Sequence, residues 1–253
     1  MRYATIFLTI FAAAVPPARA QDVTARIKQA QYALGMIRGP QRIDAINTME
    51  YWGSGTAGRP AGKVSYHVSL SYFTPAMRVD VTREPGGRQI QVVNGSFAWD
   101  ESVPGAGFIP GTTARPAPAA VKDRLLQLWS TPYGALKAAE RAASSVTVTN
   151  ENGATVLGFP MTLAPLTGIT MKVTLNANNH VVKVETRTEN GTVTETTYSD
   201  YKDLGEIQSD VLFPSHIAQK QGGVPVLDLT ITKADPINPY VVFPIPENVE
   251  KLR

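Results

Sequence analysis

From residue 48 onward the chain alternates apolar and polar positions with a period of two. Val64, Tyr66, Val68, Leu70 and Tyr72 share one face of the run 63–73, against Ser65, His67, Ser69 and Ser71. Leu227, Leu229 and Ile231 repeat the pattern near the C-terminus, against Asp228, Thr230 and Thr232. Such spacing predicts strands with one buried and one wet face. Similar runs fall at 49–56, 77–83, 88–93, 96–100, 145–150, 154–163, 170–176, 181–188, 192–201 and 211–219. The chain reads as about ten to eleven strands. Asn94-Gly95, Asn178-Asn179, Asn190-Gly191 and Gly222-Gly223 sit between runs, where tight turns favour residues that tolerate positive φ.

Two stretches leave this period. In 21–46, Ala25, Ile27, Ala30, Ala33, Leu34 and Ile37 recur near helical spacing. Gly39-Pro40 breaks that helix, and a short second helix is predicted over 41–46. A helical insertion is predicted over 119–142. Its first helix carries Val121, Leu125, Leu128 and Trp129 on one stripe, and Thr131-Pro132 starts the second as N-cap and first-turn proline. The segment 104–118, rich in Gly, Pro, Ala and Thr, reads as an exposed loop. Helix, strands, helices, strands is the order of a mainly β (α+β) domain. The expected architecture is one strongly curved antiparallel sheet with helices on its concave side and its polar face turned outward.

The start of the chain changes the compartment. Arg2, an apolar run over 4–15 and Ala18-Arg19-Ala20 have the layout of a secretory signal peptide, residues 1–20, cleaved after Ala20. The apolar run is short for a membrane span, so the mature chain is expected in the periplasm or outside the cell as a single domain, 21–253. Loss of Arg2 and Arg19 takes the net charge from +3 to +1, which offers no footprint for nucleic acid or acidic lipid. There is no cysteine, hence no disulfide and no thiol chemistry.

Candidate chemistry is sparse. His67, His180 and His216 are scattered, so no metal set is expected. Gly53-Ser54-Gly55 is not a nucleophile elbow and reads instead as a strand bend. Asp100-Glu101 and the pair Asp200 and Asp203 sit at loops, as surface charges or caps. Trp52, Tyr66, Phe97, Trp99, Leu125, Trp129 and Tyr133 fall on elements placed around the concavity. They are either ordinary core or the wall of a cavity for an apolar ligand.

Some motifs carry a resemblance. Tyr198-Ser199-Asp200-Tyr201-Lys202-Asp203-Leu204-Gly205 with Phe213-Pro214 resembles a hairpin of LolA/LolB-like half-barrels. Tyr51-Trp52-Gly53-Ser54-Gly55, the stretch from Trp129 to Ala139 and the one from Gln219 to Thr230 look like the N-terminal domain found ahead of exported metallo-β-lactamase-fold hydrolases. The likeness covers roughly 48–245. It departs at Glu206, which stands for a second glycine, and at 208–211, a small insertion. In those hydrolases the metal domain begins near where 244–253 lie, and the chain holds no H-x-H-x-D-H stretch, so no catalytic or metal residue carries over. The resemblance implies a half-barrel that binds acyl chains or other apolar ligands without a cofactor. The expected function is therefore a non-enzymatic periplasmic module for a hydrophobic or amphipathic ligand. The alternative is an accessory domain partnered with a separate exported hydrolase or another envelope protein.

Overall fold

The computed structural model describes residues 18–101 and 114–251, with side chains from residue 22. The predicted leader falls largely, and the predicted loop mostly, outside the described residues. Helix α1 (Ala18–Ala33) leads into a two-stranded ladder, β1 (Ile37–Arg38) with β2 (Ile43–Asp44). The helix predicted over 41–46 is thus replaced by a hairpin. Gly39 and Arg42 adopt φ of 69° and 52°, which turns the chain back on itself instead of continuing a helix.

One sheet holds the remaining strands. The first half gives β3 (Thr48–Ala57), β4 (Gly62–Ser71), β5 (Ala76–Glu84), β6 (Gly87–Asn94), β7 (Phe97–Asp100) and β8 (Arg115–Pro116). Helices α2 (Val121–Trp129) and α3 (Pro132–Arg141) follow. The second half gives β9 (Thr147–Glu151), β10 (Ala154–Pro160), β11 (Thr170–Leu175), β12 (Val181–Arg187), β13 (Val193–Lys202), β14 (Phe213–Gln221) and β15 (Val224–Asp235), and the short helix α4 (Glu247–Glu250) ends the described chain. The thirteen strands run β8-β7-β6-β5-β4-β3-β15-β14-β13-β12-β11-β10-β9, all pairs antiparallel. The count exceeds the expected ten to eleven. One strand beyond the alternating runs is β8, two residues at the end of the Gly/Pro-rich segment with no alternation to betray it. The pairing of β15 with β3 joins the two halves, so each half is one meander.

The sheet is open and strongly curved, and its helices lie in the concavity. Tyr72, at the end of β4, shares a 2.7 Å hydrogen bond with the Thr131 hydroxyl, while Tyr198 on β13 donates to the Ser130 carbonyl at 2.5 Å. Strands β4 and β13 are four places apart, roughly 19 Å across a flat sheet. They reach adjacent residues of one helix junction because the sheet wraps round it.

Curvature needs close backbone approach, and two glycines permit it. A Cβ on Gly55 would stand 1.9 Å from the Asp228 carbonyl, and one on Gly53 would stand 2.7 Å from Thr230 O. The main core lies on the concave face, where Val68, Leu70, Val173 and Leu229 meet Ile27, Leu128, Trp129 and Tyr133 from the helices. The convex face is not polar throughout. Over β5–β7, Ala76, Ile90, Val92 and Trp99 form a second apolar cluster, covered by Phe243 and Val249 of the tail.

Candidate functional site

The seven candidate wall residues do not converge. Leu125, Trp129 and Tyr133 are buried in the main core, and Tyr66 packs on its edge. Trp52, Phe97 and Trp99 lie on the opposite face. Trp52 stacks on His67 with ring centroids 4.5 Å apart, under the Lys233 ammonium. Phe97 and Trp99 belong to the convex cluster beneath the tail. Strand alternation explains the correction: Tyr51 and Ala98 face inward, so their neighbours Trp52, Phe97 and Trp99 cannot.

The space between sheet and helices is filled and tied. Besides the Tyr72 and Tyr198 bonds, Tyr133 donates to Leu212 O at 2.8 Å and Tyr201 to Val181 O at 2.6 Å. Burial pushes all four phenols up from their ordinary value, so they remain hydrogen-bond donors. Thr131 caps α3 through Gly134 N, as Thr-Pro suggests.

Apart from Tyr240 and Val242 on the C-terminal tail and Val224 at the opposite end, the exposed large apolar side chains gather at one end instead. The turn from β4 to β5, the end of β15, the loop from β13 to β14, the end of α1 and the β1–β2 hairpin all lie at the same end of the sheet, because neighbouring strands are antiparallel. This end carries Phe73 (81% exposed), Ile207 (85%) and Ile43 (64%), with Ile237 and Tyr32 beside them. Two hollows open there. One, of about 210 Å³, is lined by Ile207, Lys233, Pro236 and Ile237. The other, of about 480 Å³, lies where α3 meets the sheet, among Asp44, Tyr72, Phe73, Lys137 and Arg141.

The loops that hold this rim are ordered by hydrogen bonds. The Asp203 carboxylate accepts from the amides of Ser209 (2.6 Å), Asp210 (2.8 Å) and Gly205 (3.1 Å). Burial opposes its ionisation, but the three amides outweigh that and hold the carboxyl below the usual range. Gly35, at φ 70°, sits under the Asp210 carbonyl, where a Cβ would come within 2.0 Å, and so seats this loop on the end of α1. The Phe73 turn is pinned by Tyr72 N to Asn47 O and by Thr74 N to Ser71 Oγ. Two rim lysines are paired, Lys137 with Asp44 and Lys233 with Glu206, while Arg38 bonds the Gly35 carbonyl and Arg141 lies over the Trp129 ring. Burial pulls the Lys137 ammonium below the ordinary lysine value in spite of Asp44.

Among the described residues, no three of His, Asp and Glu gather as a metal set. His67 bonds Glu50, His180 lies against Tyr201, and His216 bonds Asp228 at 3.0 Å. Ser199 lies 3.5 Å from His216, but its hydroxyl donates to Asp200 at 3.1 Å, so the proton a base would take is already engaged. No described helix is long and apolar enough to cross a membrane.

No family model matches the chain, and no curated protein matches it. Solved structures similar to it include a LolA superfamily protein from Nitrosomonas europaea, at 12% identity over 88% of this chain and 96% of that one, TM-score 0.44. The MucA/MucB complex of Pseudomonas aeruginosa matches at 12% identity over 86% of this chain and 57% of that one, TM-score 0.26. A structure of MucB alone matches at 12% identity over 92% and 63%, TM-score 0.27. At these scores none of them bears on what this chain does.

Proposed function

We propose that the chain is a non-catalytic binding module of the bacterial envelope that docks a partner protein through the apolar rim. One observation carries this reading: Phe73, Ile207 and Ile43 stand in solvent on hydrogen-bonded loops, whereas the concavity is filled by the chain's own helices. Apolar side chains held in solvent on ordered loops mark interaction surfaces, and pre-ordering lowers the entropy cost of binding. The partner classes that fit are an envelope protein or a separate exported hydrolase.

A second reading is a hydrophobic ligand held between sheet and helices. The 480 Å³ hollow at the mouth would be its entrance, although its lining is mostly charged (Asp44, Lys137, Glu140, Arg141) and a buried acyl chain would have to displace α3. Photo-cross-linkers at positions 73 and 207, in cells that export the chain, separate the readings. The expected result is one shared protein adduct from both positions and none from Arg187 at the far end of the sheet. Adducts only to lipid at position 73, or equal labelling from all three positions, contradict the rim.

A further inference from the structure

The convex cluster is covered by a segment that is not part of the sheet. From residue 236 to 246 the tail carries four prolines and forms neither strand nor helix. Val241, Phe243 and Ile245 face the groove, while Tyr240, Val242 and Pro244 are exposed. No backbone hydrogen bond ties 240–246 to the described sheet. The tail is held by apolar burial, by Asn238, which accepts from Thr48 Oγ1 at 2.6 Å and donates to Glu50 at 2.5 Å, and beyond it by two side-chain amides. Asn94 Nδ2 donates to Phe243 O at 2.8 Å, and Asn248 Nδ2 donates to Ala114 O at 2.6 Å. Aromatic Trp99 and Phe97 belong to the floor, and Ile90 and Val92 complete it.

These are the features by which a groove takes a proline-rich strand. Such a peptide is already extended, so little entropy is lost on docking, and its unpaired carbonyls suit side-chain donors. An aromatic floor supplies area, and an asparagine on a main-chain carbonyl fixes register whatever the residue. We propose that this groove over β5–β7 is a binding site for extended, proline-interrupted apolar segments of other proteins, with residues 240–250 as its built-in occupant. The site is independent of the rim and stands or falls separately. Covalent attachment gives the tail an effective concentration on the order of millimolar, so an outside peptide gains access as the internal anchor weakens.

The test uses the full chain and a dye-labelled synthetic peptide of residues 238–250, read by fluorescence anisotropy. Phe243→Ala removes the anchor of the internal occupant and leaves the groove untouched. It should bind the peptide at least tenfold more tightly than the unaltered chain. Adding Asn94→Ala should weaken that binding severalfold. If Phe243→Ala fails to fold by circular dichroism, Phe243→Leu decides, with the same ordering at smaller amplitude. A folded variant that binds no better than the unaltered chain, or whose binding ignores Asn94→Ala, overturns the proposal.

Discussion

At the scale of the residue, small side chains decide more here than charged ones. Gly134 opens α3 against α2, and a Cβ there would stand 2.5 Å from Leu128 O and 2.8 Å from the Thr131 hydroxyl. Alanine favours a helix interior by roughly 1 kcal/mol over glycine, yet this contact is with backbone that cannot yield. Gly134→Ala is therefore expected to lower stability by about 1–3 kcal/mol, measured by urea unfolding. A gain in stability would show that the two helices are not in close contact. Asp200 matters through its backbone. At φ 56° it breaks the strand alternation, so Tyr198 and Tyr201, three residues apart, both reach the main core. The sequence spacing of those tyrosines contradicts a period of two, and that was the available signal. For Trp52 and Trp99 the signal was stronger still, since each follows an inward-facing neighbour along its strand. Assigning aromatics to the concavity by their element rather than by their face placed them on the wrong side.

At the scale of the element, turns and caps were legible because their chemistry is local. Asn94-Gly95, Gly222-Gly223 and Thr131-Pro132 all do what their residues imply. The β1–β2 hairpin was not legible, since three apolar residues in the six of 41–46 suit a helix until Lys137 and Met36 fix Asp44 and Ala45. The bulge in β15 between Ile231 and Lys233 was hidden for the same reason. It lets Ile231 and Ala234 both face the core, and only pairing with β3 reveals it.

Charged pairs between elements give a pH prediction. Burial opposes the ionisation of Asp80, Asp100 and Glu140, but Arg88 and Arg78, Arg115 and Arg124, and Lys28 with Gln31 outweigh it and hold them below their usual values. A carboxyl whose value is lowered by folding adds stability above its unfolded pKa, roughly 4, and loses it as pH falls through the folded value. The thermal midpoint should therefore be flat near neutrality and fall below about pH 4. Asp80→Asn should shrink that fall, and an unchanged pH profile in this variant would remove Asp80 from the account.

At the scale of the whole molecule, the mainly β class and the sheltering helices could be read from period alone, because alternation and helical spacing are properties of short segments. The rim and the covered convex groove could not. Both depend on which loops antiparallel pairing brings to one end, and on a tail without periodicity. Two expectations belong to this scale. The exported chain should begin at Gln21, as checked by intact mass, and a mass that retains residues 1–20 would contradict the leader. Trp129→Ala should cost about 3–5 kcal/mol, since that ring lies at the centre of the packed interior, under Arg141.

The central claim is that the bowl of the sheet is closed by the chain's own helices. Native mass spectrometry of protein purified from the envelope and then exposed to phospholipid extract tests it most directly. The account predicts the mass of the bare polypeptide under both conditions. Stoichiometric retention of an acyl lipid, lost on Tyr72→Trp, would contradict it.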